Sequence, residues 1–376
     1  MYGLLHSVGN SVRNNLGTSV RHQLHCVSSF KYAACVPIVL FVAGCSTVSL
    51  NTPSSSPVPI VSAQANVDTS QLNALRILTT EQETLYRVAD PLLVRNVPLC
   101  RGNIRNLIGF SAVNKYSFTS DYVAAAQALG FGEALQITGV LNSSGAAKAG
   151  IQKGDVLRSI EGKPVPPGPN AERQASALLG PLVGQLSRIK LGLQRNGQDI
   201  NVIVPLTEAC GFGLKVGNTD SVNAYNDGQR IMVTRGMMNF VRSDTELAYV
   251  VAKELAHSAL RHAVQQRMTG TIGGIINNLS SMNPDTSMLN GTGGVTAMPQ
   301  DLDAAADTLS LYMLTRAGYE IDGAAAFWQR LAAQYPPTVL NSYTAIHPAT
   351  AYRLSVINRT VTDIKSKISS NQAITP

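Results

Sequence analysis

The chain has 376 residues, enough for two or three domains with sizeable cores, and 44% of them are hydrophobic against 14% charged. Its formal net charge is +7, and Arg13, Arg21 and Lys31 stand before Cys45 with no acidic residue among them. The part beyond Cys45 then holds 27 basic and 23 acidic residues, a net +4. That charge is too mild and too scattered for a nucleic-acid surface, and no nucleic-acid partner is expected.

Residues 33–44 form an apolar run behind basic residues. A run of about 12 residues is too short to span a bilayer and has the length of a signal-peptide core. The ending Val42-Ala43-Gly44-Cys45 resembles the bacterial lipoprotein cleavage signal. That resemblance implies a signal peptide over 1–44 and a lipidated Cys45 as the membrane anchor. Ser46, rather than aspartate, implies sorting to the outer membrane of a Gram-negative cell, on its periplasmic face. The basic region ahead of the run is unusually long, which points to a start codon further downstream. Residues 45–70 then read as a flexible tether, rich in Pro and Ser between 51 and 68.

An N-terminal helix is expected over 71–100. Thr80-x-x-Glu83 reads as its capping box, Leu85, Val88 and Leu92 share a face, and Pro91 to Pro98 mark its end. Cys26 and Cys35 leave with the leader and Cys45 takes lipid. Cys100 and Cys210 remain, in an oxidising space, where a disulfide would join the two ends of the intervening domain.

Between those cysteines the pattern changes to strands. Residues 135–141 alternate, and 189–195 and 198–204 flank Asn196-Gly197, a strong two-residue hairpin signal. Residues 143–165, with Gly150, Gly154, Asp155 and Gly162 at turn positions, resemble the PDZ signature, and the likeness extends over about 106–206. It assigns 101–210 to a PDZ domain and implies binding of extended peptides, often C-termini, by strand addition. The loop cradling the peptide carboxylate is either Ile108-Gly109-Phe110-Ser111 or Leu129-Gly130-Phe131-Gly132.

A third domain is expected over 211–376. It starts with two strands around the turn Asn226-Asp227-Gly228 and a short helix through 237–241. A long helix then runs from Ser243 to about Met268, with Ser243 or Asp244 as N-cap. Residues 269–300, rich in Gly, Asn, Ser and Met, read as a flexible lid hinged at Gly291-Thr292-Gly293-Gly294. Further helices follow at 301–314, 324–334 and 348–364.

Three of the six histidines lie in the leader, and the others are His257, His262 and His347. Val250-Val-Ala-Lys-Glu-Leu-Ala-His257 is similar to the second half of an H-E-x-x-H helix. In such a helix two imidazoles four residues apart share one face and hold zinc while the glutamate activates water. Together with Asp303-x-x-x-Asp307 and His347-Pro348, the stretch 222–353 resembles metallopeptidase family M48, the gluzincins that include CAAX-processing endopeptidases and periplasmic chaperone-proteases. The fold class implied is α+β: a small β-barrel-like PDZ domain with helices, followed by a mainly helical gluzincin-type domain.

The resemblance implies zinc as cofactor and assigns roles residue by residue. Glu254 takes the general-base position and His257 the second ligand. Asp307 takes the aspartate that orients a ligand histidine, and His347 the pocket histidine that stabilises an oxyanion. The strand Asn223-Ala224-Tyr225 resembles the edge along which family substrates lie. Two positions depart from the family pattern: Lys253 stands at the first ligand histidine, and Asp303 at the third-ligand glutamate.

A lysine ligand would have to be neutral, at a cost of roughly 4–5 kcal/mol at pH 7 from its reference pKa. His262, about 140° round the helix from His257, is expected on another surface. The two changes make sense together if a Lys253–Asp303 ion pair occupies the old metal site. Three functions compete. The protein is a periplasmic zinc endopeptidase acting on envelope proteins, a non-hydrolytic adaptor or chaperone for unfolded or extended envelope polypeptides, or a purely structural part. The ion pair favours the impaired or inactive homologue.

Overall fold

Helix α1 (Thr69–Arg95) opens the described part of this computed structural model, residues 67–376. The expected signal peptide, lipidated Cys45 and all but the last few residues of the tether lie outside the described residues. Asp68 caps α1 by accepting from the Ser70 amide at 2.8 Å. Thr80, expected to open the helix, lies inside it and returns its hydroxyl to the Arg76 carbonyl at 2.9 Å. Leu75 and Leu78 are buried, so the apolar face starts before Thr80 and Asp68 supplies the earlier cap. Pro91 is also internal, because Leu92 and Leu93 beyond it are buried in the same core.

The middle of the chain gives β1 (Ile104–Leu107), β2 (Phe110–Val113), α2 (Val123–Ala128), β3 (Gln136–Val140), α3 (Gly145–Lys148), β4 (Val156–Ile160), β5 (Lys163–Pro164), α4 (Ala171–Gln185), β6 (Arg188–Arg195), β7 (Gln198–Pro205) and β8 (Thr207–Cys210). The main sheet runs β2-β3-β4-β6-β7 with β5 paired to β4, all antiparallel, and leaves β2 as an edge strand. Asn196 and Gly197 take φ of 51° and 81° and turn β6 into β7. Alternate residues of β6 (Ile189, Leu191, Leu193) pack with Ala171, Ala175 and Leu179 of α4 and with Phe110 and Ala112 of β2. Cys100 and Cys210 are disulfide-bonded with Cα atoms 5.6 Å apart. Beside them β1 pairs with β8, so both ends of this part meet.

The last part holds β9 (Gly213–Gly217), β10 (Ala224–Asn226), β11 (Arg230–Thr234), α5 (Arg235–Phe240), α6 (Asp244–Ala259), α7 (His262–Gln265), α8 (Thr269–Leu279), α9 (Gln300–Ala317), α10 (Ala324–Gln334), α11 (Tyr343–Ile346) and α12 (Ala351–Ser369). Its sheet runs β10-β11-β9, with β10 at one edge. Ser243 caps α6, accepting from the Glu246 amide at 3.2 Å. Every α6 residue from Leu247 to Ala259 is buried, the mark of a central helix. It packs on α9, on α1 and on the small sheet, while α12 also packs on α9.

Two expectations are corrected here. The central helix does not reach Met268. It stops at Ala259, Arg261 adopts a left-handed φ of 60°, and the chain restarts as α7. Residues 269–300 also depart from a structureless lid, since they form α8 and a 3₁₀ turn at Thr286–Leu289. Ile272, Ile275, Ile276, Leu279, Leu289 and Val295 are buried against Tyr225, Met232 and Ile346. Their apolar side chains supply the packing that short, Gly-rich runs conceal. Among the described residues no helix is long and apolar enough to cross a membrane.

Candidate metal centre

Helical spacing builds the site. On α6, Lys253 and His257 are four residues apart on one face, with Glu254 beside them; on α9, Asp303 and Asp307 are likewise four apart. His347 caps the C-terminus of α11 outside the helical region, with φ of −126° and ψ of 74°, as the residue before Pro348 is kept from the helical conformation. Lys253, Glu254, His257, Asp303, Asp307 and His347 are all buried.

Lys253 Nζ lies 2.6 Å from Asp307 Oδ1 and 3.3 Å from Asp303 Oδ1. The expected partner, Asp303, is thus the more distant of the two. Asp303 Oδ1 also receives His347 Nδ1 at 2.7 Å, and His257 Nε2 stands 3.2 Å away without an aligned hydrogen bond. Asp307 does not touch a histidine. Its carboxylate is held by Arg353, through Nε at 2.7 Å and a second nitrogen at 3.0 Å, as well as by Lys253. Arg353, 2% exposed, also donates to the His347 and Pro348 carbonyls and lies 3.4 Å from Asp303 Oδ2. The Glu254 side chain accepts from the Tyr343 hydroxyl at 2.7 Å and stands 3.9 Å from His347 Nε2. Tyr343 stacks on His347 and on Trp328, and the Trp328 ring centroid is 5.2 Å from Lys253 Nζ.

His262 reverses its expectation. It is 2% exposed and its Nδ1 lies 2.9 Å from His257 Nδ1. The cause is the left-handed Arg261, which ends the helix and folds the next turn back onto the site. Sequence reasoning also missed Arg353, Tyr343 and Trp328. Arg353 had a signal, because it shares a buried α12 face with Ile357, Thr360 and Ile364 at helical spacing.

Burial raises the Asp303 carboxyl, but Lys253 and the contacts from His347 and His257 outweigh it and hold it well below the usual carboxylate range. Asp307 is lowered against its own burial by Lys253 and Arg353. Burial pushes Glu254 up and pushes His257 and His347 down. His262 is lowered by burial to about 4.

His257, Asp303 and His347 could each offer a ligand atom, all within 4.8 Å of one another, and His257 Nε2 and Asp303 Oδ2 are buried with no hydrogen-bond partner. Spacing and charge weigh against a divalent ion. Tetrahedral zinc with ligands at about 2.0–2.2 Å separates ligand atoms by roughly 3.3–3.6 Å. His347 Nδ1 and Asp303 Oδ1 are instead in direct contact, and two carboxylates are already matched by two buried cations. As arranged, these residues do not fit zinc. Beside them a pocket with apolar walls, among them Tyr225, Met268, Ile272 and Ile346, reaches Glu254, His257 and His347 along β10.

Residues 206–361 match the model of Peptidase family M48. The Beta-barrel assembly-enhancing protease of Yersinia pestis is 27% identical over 165 residues, covering 38% of this chain and 33% of that protein. Periplasmic serine endoprotease DegP of Escherichia coli (strain K12) is 38% identical over 76 residues, 19% of this chain and 14% of that protein. The chain thus spans a third or less of the length of these relatives. The ligand-bound HtrA3 PDZ domain covers 28% of this chain and 88% of its own at 18% identity and TM-score 0.21. The HtrA-type protease AlgW with decapeptide covers 28% and 30% at 23% identity and TM-score 0.21.

Proposed function

We propose that this chain, which joins a PDZ domain to a peptidase family M48 domain, is a catalytically impaired M48 homologue that holds extended envelope polypeptides without cutting them. Family M48 comprises zinc metallopeptidases. The observation that carries the reading is the buried Lys253 ammonium, ion-paired with Asp303 and Asp307 of α9. A fixed monovalent cation there does electrostatically what a divalent ion would do between the two helices, and no activated water comes with it. Cys45 would anchor the protein to the outer membrane on its periplasmic side.

Extended peptides have two places to lie. The β2 edge is unpaired on its outer side, and Gly109, with φ of 96°, precedes it. This favours Ile108-Gly109-Phe110-Ser111 as the carboxylate loop. Leu129 and Phe131 of the competing loop pack instead against the core shared with α1. The β10 edge, with its apolar pocket beside Glu254 and His347, supplies the second place.

The test is metal content and casein cleavage of the purified full chain, with and without chelator. The expected result is zinc far below one ion per chain and no chelator-sensitive cleavage. Stoichiometric, tightly held zinc overturns the reading. Lys253→His with Asp303→Glu is expected to restore zinc binding. A second reading, a weak metalloendopeptidase using His257, Asp303 and His347, is favoured by His257 Nε2 and Asp303 Oδ2, two buried atoms that make no hydrogen bond. Chelator-sensitive cleavage by the wild-type chain would select it.

A further inference from the structure

Asp90 belongs to α1, outside the PDZ sheet, yet it is only 3% exposed and its hydrogen bonds run to the turn that follows β3. Asp90 Oδ2 accepts from the Ser143 amide at 3.0 Å and from the Ser143 hydroxyl at 3.1 Å. Oδ1 is buried with no hydrogen-bond partner. Burial raises the carboxyl, and the Ser143 contacts oppose that rise. Two donors of Ser143 converge on this buried carboxylate, so removing it would leave both without their partner.

That turn packs against Gly109, the residue just before β2. Ser144, fully buried, makes no hydrogen bond to Asp90 itself but donates its hydroxyl to the Leu141 carbonyl at 2.6 Å and stands 3.3 Å from the Gly109 carbonyl. The Leu141 amide donates to the same Gly109 carbonyl at 2.8 Å. A Cβ built on Gly109 would lie 2.2 Å from Ser144 Cβ and Oγ, so loop and turn are in close contact. The orientation of the Gly109 peptide, and of the amides that follow it into β2, therefore depends on where Ser143-Ser144 is held.

The other end of the connection is equally firm. One residue pair before Asp90, the Val88 carbonyl accepts from the Tyr319 hydroxyl at 2.8 Å, just past α9. Asn96, closing α1, donates to the Met313 carbonyl of α9 at 2.9 Å. Leu85, Val88, Leu92 and Leu93 share one core with α6 and α9.

We propose that Asp90 is a positioning residue for the carboxylate-binding loop at Gly109, so that affinity for a peptide C-terminus is set by a helix of the peptidase-side core. This rests on the reading of 108–111 as that loop. A loop held from outside its own domain is preorganised only while α1 is docked, and by linkage a bound C-terminus favours the docked helix in return.

The test uses the detergent-solubilised full chain and a labelled peptide selected on the wild type from a library of free C-termini, alongside the same peptide as its C-terminal amide. Binding is followed by fluorescence anisotropy. Wild type is expected to prefer the free acid. Asp90→Ala should weaken the free acid by about tenfold, the equivalent of losing one hydrogen bond to a charged group, and leave the amide unchanged. Asp90→Asn keeps a side-chain oxygen for Ser143 and should recover most of the loss. Ser144→Ala, which frees the Gly109 carbonyl from the other side, should repeat the free-acid-selective loss and covers the case of an Asp90→Ala chain that does not fold. If wild type shows no preference for the free acid, the loop reading fails and this proposal with it. If wild type prefers the acid and the variants keep that preference within twofold, the proposal alone is overturned.

Discussion

Replacing Lys253 with methionine isolates the electrostatic exchange. The side chain is fully buried, with Asp307 at 2.6 Å, Asp303 at 3.3 Å and the Trp328 ring at 5.2 Å. Methionine keeps the length of the stem and removes the charge, which leaves Arg353 alone against two buried carboxylates. Breaking a buried pair by removing one partner costs about 3–5 kcal/mol, because the abandoned charge stays buried. Spread over a chain of this size, that is a fall in melting temperature of about 4–8 °C. Trp328 is the sole tryptophan of the sequence, so intrinsic fluorescence reports on this spot during a melt. Lys253→His with Asp303→Glu should lose comparable stability in chelator and regain about 2.7 kcal/mol with zinc at 100 times its Kd, whereas wild type should melt alike in both. A Lys253→Met chain that melts within about 2 °C of wild type would refute the reasoning, because the ammonium would then not be compensating the acids.

The remaining predictions concern pH, the disulfide and the peptide loop. The folded pKa values of His257, His262 and His347 lie below the usual value, so the unfolded chain takes up protons first. Stability should fall as pH drops below about 6.5, by at most about 1.4 kcal/mol per pH unit for each histidine, and for His262 down to about 4. Urea titrations at several pH values check the sign, and stability that rises on acidification contradicts it. Asp303 and Asp307 act in the same direction at lower pH, since their stabilisation exists above the unfolded carboxylate range and is lost as pH falls through their lowered values. Reducing Cys100–Cys210, 110 residues apart, should cost up to about 4–5 kcal/mol, read as a lower denaturation midpoint in dithiothreitol. Gly109→Ala, at a φ of 96° and against Ser144, should abolish C-terminal peptide binding while zinc content and the Trp328 signal stay as in wild type.

Residue types and spacing were enough to read the strand–turn pattern of the middle domain, the Asn196-Gly197 hairpin and the facing residues of the two site helices. Each of these follows from local periodicity, two for a strand and 3.6 for a helix. The partner of Lys253 did not follow from it. Asp303 and Asp307 share one α9 face, and which of them meets the ammonium depends on how far α9 is shifted along α6, a distance that packing of the whole core decides. His262 escaped for a smaller reason: one left-handed residue, Arg261, turns a predicted outward histidine into a buried neighbour of His257. Arg353 arrives from the last helix, about a hundred residues from Lys253, and its pairing with Asp307 exists only once three helices have met. Periodicity along the chain sets which side chains share a face, and only the packed core sets which faces touch.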